Sequence, residues 1–136
     1  MNRFSAISFA VLTLAGTPTS DAFADGNYSE SCTTTALLVG SDLQADCKRR
    51  DGSIRRSTIR LNDYIANDDG RLHWRRDGGF KASCGNVRLK GGIPLEGAPI
   101  LTAGCMTRGG LITHPTIDLD EGIANVDGKL VYVGPE

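Results

Sequence analysis

The chain of 136 residues carries 15 basic and 16 acidic side chains, for a net charge of −1. That balance excludes a protein that binds polyanions through bulk charge, and the length suits one small domain rather than several.

In chain order, Arg3, the apolar run Phe4 to Ala15 and the small-x-small triplet Ala22-Phe23-Ala24 read as a signal peptide over 1–24. The apolar run is too short for a bilayer anchor. The expectation is cleavage after Ala24 and a mature chain Asp25 to Glu136, secreted or periplasmic, without membrane insertion.

The rest of the chain is written twice. Cys47 to Trp74 recurs as Cys105 to Tyr132 at a constant offset of 58 residues. Within it Ile59, Leu61, Ile65, Ala66, Asn67, Asp69, Gly70 and Leu72 reappear as Ile117, Leu119, Ile123, Ala124, Asn125, Asp127, Gly128 and Leu130. Upstream, Tyr28, Ser31, Cys32, Leu37 and Gly40 pair with Phe80, Ser83, Cys84, Leu89 and Gly92 at an offset of 52. A fixed-lag match of this kind marks an internal duplication. The two copies run over about 25–75 and 80–136, joined by the polar linker Arg75-Arg76-Asp77-Gly78-Gly79. The change of offset places extra residues near Ile93 to Pro99, which reads as a longer surface loop. Half of the mature chain would make a very small core, so one domain over 25–136 is expected.

The local pattern is β. Ser57 to Leu61 and Thr116 to Leu119 alternate apolar and polar, as do Leu72-His73-Trp74 and Leu130-Val131-Tyr132, which puts Trp74 and Tyr132 in the core. Asp51-Gly52, Asp69-Gly70, Asp77-Gly78, Gly109-Gly110 and Asp127-Gly128 are turn signals. Asn62 to Asn67 and Asp120 to Asn125 are expected to form short helical turns.

Each copy holds two cysteines, and four cysteines permit three pairings. The duplication favours Cys32 with Cys47 and Cys84 with Cys105, giving each copy the same staple in an oxidising compartment. A metal site is disfavoured by the lack of any C-x-x-C pair, with His73 and His114 the only histidines.

These residues together resemble the cyanovirin-N homology family of small lectins. The match runs from Tyr28 to Tyr132 and rests on "YSESC", "STIRLNDYIANDDGRLHW", "FKASC", "LTAGC" and "TIDLDEGIANVDGKLVY". The resemblance implies an all-β, pseudo-symmetric fold of triple-stranded sheets and hairpins, each half built from both repeats by strand exchange. It implies no enzyme activity, no cofactor and no metal. Its partners would be oligosaccharides or glycoproteins, with no nucleic acid, bound through two separate mannose-type pockets. A monomer is expected, and a domain-swapped dimer is open to the family through the linker.

Carried over by position, one pocket would use Asn27, Glu30, Ser31, Lys48, Arg49, Arg50, Asn125 and Asp127. The other would use Asn67, Asp69, Asp77, Ser83, Thr107 and Arg108. The chain departs from the family's polar pattern at Lys48, Ala82, Met106 and Gly110. The repeated Asn-x-Asp-Gly has two readings: acceptors for sugar hydroxyls, or residues that only shape a turn. Lys48-Arg49-Arg50 and Arg55-Arg56 flank Asp51-Gly52, so their cations are expected to face one another across a turn. They read either as a solvated strand edge or as a contact for acidic glycans. A scaffold that kept the fold and lost sugar binding is the alternative function. A glycosidase using Asp118 and Asp120 is disfavoured, because Asp118 aligns with Arg60 and the duplication does not preserve it.

Overall fold

The computed structural model describes residues 26–91 and 97–135. The expected signal peptide and the middle of the expected long loop lie outside the described residues.

Three antiparallel strands open the described chain: β1 (Cys32–Leu37), β2 (Asp42–Lys48) and β3 (Ile54–Arg60). A hairpin follows, β4 (Ile65–Asp68) with β5 (Arg71–Trp74). The second copy repeats the order as β6 (Cys84–Lys90), β7 (Ile100–Met106), β8 (Ile112–Thr113), β9 (Thr116–Asp118), and the hairpin β10 (Ile123–Val126) with β11 (Lys129–Tyr132). Where β3 runs unbroken, its counterpart is split into β8 and β9, both paired to β7. Pro115 stands where Ser57 stands in the first copy. It has no N–H to give a ladder and breaks the strand there. The second sheet is therefore four-stranded by count rather than triple-stranded.

The helical expectation is corrected in extent. Single 3-10 turns cover Leu61–Asp63 and Leu119–Glu121, and from Ile65 and Ile123 the chain is already strand. The apolar Ile-Ala pairs that suggested a helix face are the start of hairpins, both residues buried. Equivalent turns at Tyr28–Glu30 and Phe80–Ala82 precede each copy's first strand.

Strand alternation builds the core. Leu43, Ala45 and Cys47 on β2 and Leu101, Ala103 and Cys105 on β7 point inward. Cys32 faces Cys47 and Cys84 faces Cys105 across neighbouring strands, and both pairs are disulfides. Tyr28 and Phe80, Leu61 and Leu119, and Ile65 and Ile123 complete one continuous core from matched positions. Trp74 is half-buried rather than fully inside, and Tyr132 is buried.

The hairpins are exchanged between copies. β11 lies against β3 and β2, and β5 lies against β9. Leu130 N donates to Ser57 Oγ at 3.0 Å, and Thr113 Oγ1 donates to Gly70 O at 2.7 Å. Each hairpin tip therefore sits on the sheet of the other copy, and these two meeting places form the candidate sites.

Candidate functional site

Each hairpin tip is a two-residue turn that needs positive φ twice. Asp69 and Gly70 have φ of 52° and 89°, and Asp127 and Gly128 have 51° and 88°. Asp-Gly meets that requirement because Asp tolerates the left-handed region and Gly has no Cβ.

The tips are clasped by side chains in matched fashion. Asn67 Oδ1 accepts from Gly70 N at 2.8 Å, while its Nδ2 donates to Ser83 Oγ at 2.7 Å and Met106 O at 3.0 Å. Asn125 Oδ1 accepts from Gly128 N at 2.7 Å, and its Nδ2 donates to Ser31 Oγ at 2.8 Å and Lys48 O at 2.9 Å. Arg108 N donates to Asp69 Oδ1 at 2.8 Å, and Arg50 N donates to Asp127 Oδ1 at 2.9 Å. The amide of each Asn ties its own turn and the opposite copy together, so both side chains shape their turns. Asp69 and Asp127 each keep one carboxylate oxygen outside these backbone bonds.

At one end the result is an open cleft of about 470 Å³. Asn67, Asp69, Ser83, Thr107 and Arg108 line it, as the sequence suggested, with Met106 at a position where the chain departs from the family's polar pattern, and with Asp68 and Arg75, which the sequence did not suggest. Asp77 is not among its walls; it is exposed in the linker with φ of 55°. Arg108 lies 3.6 Å from Asp68 and 4.0 Å from Asp69, all three solvent-exposed, so these contacts orient more than they stabilise.

At the other end Ser31, Lys48, Arg49, Arg50, Asn125 and Asp127 come together around the second tip. Asn27 and Glu30 stand beside it. Asn27 bridges to Ala124 and its N–H donates to Asp120 O at 2.7 Å, and the Glu30 N–H donates to Asn27 O at 3.1 Å. The expected facing of cations across the basic hairpin is corrected. Lys48 faces Ile54, Arg55 faces Cys47, and Arg56 faces Asp46. Arg56 Nε donates to Asp46 Oδ1 at 2.8 Å and holds that carboxyl below its ordinary value. Asp51 is held low as well, first by the Ser53 hydroxyl and then by the Ser53 N–H.

The acids considered for hydrolysis have structural partners. Asp120 accepts from Ser29 N and Ser29 Oγ, and Asp118 Oδ1 accepts from Asp120 N.

The CVNH domain model matches residues 28–131. The chain belongs to the cyanovirin-N homology (CVNH) family. Among solved members, a CVNH protein of Gibberella zeae is 31% identical, with a TM-score of 0.70 over 80% of this chain and 99% of that one. Microvirin, solved with mannobiose, is 33% identical, with a TM-score of 0.67 over 78% of this chain and 97% of its own. A MoCVNH3 variant in complex with (N-GlcNAc)4 is 27% identical, with a TM-score of 0.68 over 79% and 97%. This CVNH chain shares their all-β fold, with two intra-repeat disulfides and two pseudo-symmetric ends.

Proposed function

We propose that this chain is a lectin that binds mannose-type oligosaccharides without a metal ion, through one pocket at each hairpin tip. The supporting observation is the cleft at the Asn67–Gly70 tip. Its walls gather a carboxylate (Asp69), hydroxyls (Ser83 and Thr107) and a guanidinium (Arg108) around an open space that admits a sugar. Such groups match the donors and acceptors that a row of sugar hydroxyls needs. The reading is also supported by the family, since microvirin and the MoCVNH3 variant were solved with saccharides. Single pockets of this openness bind weakly, and two of them on one body gain avidity for a branched glycan. The same reading makes the protein secreted or periplasmic and without enzyme activity.

A scaffold role is favoured by a specific observation. Asn67 and Asn125 spend their amides on internal hydrogen bonds, and Met106 brings an apolar side chain into the cleft. Titration of the oxidised mature chain with mannobiose, followed by backbone amide shifts, decides between the two. Saturable shifts at Asp69, Ser83, Thr107 and Arg108 support the lectin. Silence at both ends up to millimolar sugar supports the scaffold. Detection of a mature N-terminus at Asp25 in the exported fraction checks the location.

A further inference from the structure

The two ends share one backbone and differ in charge. A Cβ placed on Gly70 would meet Thr113 Oγ1 at 2.7 Å and Thr107 Cγ2 at 2.9 Å. A Cβ placed on Gly128 would meet Arg49 Cγ at 2.8 Å and Arg55 Cβ at 3.0 Å. Thr107 and Thr113 stand 58 residues after Arg49 and Arg55, so two threonine walls at one tip are two arginine walls at the other. The same offset sets Lys48 against Met106 and Val126 against Asp68. The second change matters as much as the first. In the threonine-walled cleft Arg108 has Asp68 and Asp69 within reach. At the arginine-walled tip the counterpart of Asp68 is apolar, and Asp127 remains with one oxygen already bound to Arg50 N. Asp51 nearby turns its Oδ1 to Ser53. Lys48, Arg49, Arg50 and Arg55 are all exposed, and none makes an ion pair among the described residues. Arg56 is set apart by its pairing with Asp46.

We propose that the two pockets are divided by charge. The tip at Arg49, Arg55 and Asp127 takes an anionic saccharide, one that carries a carboxylate or sulfate group, while the Asp69–Thr107 cleft takes a neutral one. This rests on the lectin reading above and narrows it: the mannose-type ligand is confined to the Asp69–Thr107 cleft, and the other tip's saccharide is an anionic one. Guanidinium groups bind such oxyanions as planar forks, with charge-assisted hydrogen bonds about twice as strong as neutral ones. The second oxygen of Asp127 accepts a sugar hydroxyl, which ties the ligand to a saccharide rather than to an anion alone. Edge protection by a solvated basic strand needs no such convergence on the opposite hairpin and gives no saturable site.

The test is an amide-shift titration of the oxidised full chain with mannobiose, a tetragalacturonate, a sulfated disaccharide, sodium sulfate at matched ionic strength, and a single-stranded oligonucleotide. Expected are saturable shifts at Arg49, Arg50, Asp127 and Gly128 with the uronate or the sulfated sugar, absent with mannobiose and weakened by added salt. The Arg49→Thr/Arg55→Thr variant, which installs the residues of the other end, should weaken that binding by at least about tenfold. Its mannobiose response at Asp69 and Thr107 should not change. Should that variant fail to fold, Val126→Asp, which restores the missing acid, is expected to weaken the same response. Anionic sugars that move neither tip, or both tips alike, overturn the proposal. So does sodium sulfate that reproduces the shifts at equal concentration, or an oligonucleotide that saturates the tip as tightly. The two readings fail separately. Mannobiose binding without any uronate or sulfated-sugar response removes only the division by charge. Silence of every sugar removes the lectin reading itself. An anionic sugar that binds while mannobiose is silent keeps the anionic tip and removes the neutral pocket.

Discussion

Trp74 lies flat against Gly122: a Cβ on that glycine would stand 2.5 Å from Cδ2 and Cε2 of the indole. The other copy solves the same packing problem differently. Tyr64 occupies the position that matches Gly122 and stacks on Tyr132, the counterpart of Trp74, with ring centroids 4.7 Å apart and planes 16° apart. A large ring with no side chain beneath it in one copy balances two smaller rings in the other. Gly122 has φ of −124°, an ordinary value, so only the lack of a side chain is required there. Gly122→Ala is therefore expected to cost about 1–3 kcal/mol through overpacking. Urea unfolding should show a lower midpoint at unchanged slope. An unchanged midpoint would mean that the indole is free to move away.

Tyr28 fills the place that Phe80 fills in the second copy, and both rings are fully buried. Tyr28 Oη and Thr35 Oγ1 are buried beside each other, but their contact falls short of hydrogen-bond geometry, and neither atom has another partner among the described residues. Burial pushes the phenol well above its usual pKa, by more than the Thr35 contact lowers it, so it stays protonated. A buried hydroxyl left unpaired costs about 1–3 kcal/mol. Tyr28→Phe should therefore raise the thermal midpoint or leave it unmoved. A clear drop would show that the hydroxyl has a partner in solution.

Asn67 and Asn125 each close their own turn through one hydrogen bond and tie it to the opposite copy through two more, all of at most 3.0 Å. Replacing either with Ala is expected to cost about 1–3 kcal/mol, because backbone groups beneath the tip lose their partner. The two sites share no residue, so the double variant should equal the sum of the singles within about 0.5 kcal/mol. Asn67→Asp keeps the acceptor for Gly70 N but turns a carboxylate onto Met106 O, and should destabilise as well. Chemical denaturation of the four variants checks all three statements. Strong non-additivity would mean that the ends are coupled through the core.

The duplication made most of this fold legible. Matched positions such as Leu43 and Leu101 could be paired by offset alone, and the disulfide partners followed from giving both copies one staple. Less visible was anything set by a difference between the copies. Pro115 against Ser57, Tyr64 against Gly122 and Val126 against Asp68 align by the same offset, but the split strand, the stacked rings and the missing acid that they produce show only in space. At the site, Asn67, Asp69, Ser83, Thr107 and Arg108 were foreseen. Asp68 and Arg75 were missed because strand ends point where the exchanged hairpin sends them, which sequence spacing does not encode. Asp77 is exposed in the linker and is not among the residues that line the cleft.

Asp46 and Arg56 sit opposite each other on β2 and β3, joined at 2.8 Å and 3.2 Å. The Arg56 hydrogen bond lowers the Asp46 carboxyl below its unfolded value, and Asp46 in turn raises Arg56. A carboxyl that is lower in the folded state contributes stability above its unfolded pKa of about 4. That contribution is lost as the pH falls through the lowered folded value. Asp46→Asn should therefore be less stable than the parent at neutral pH, and the gap should close in strong acid. Added salt should narrow the gap at neutral pH too, because Arg56 is exposed. Denaturation of both proteins across the acid limb, at low and high salt, makes the comparison. Curves that stay parallel through that limb would show that the pair contributes nothing and that the Asp46 carboxyl is not lowered in the folded protein.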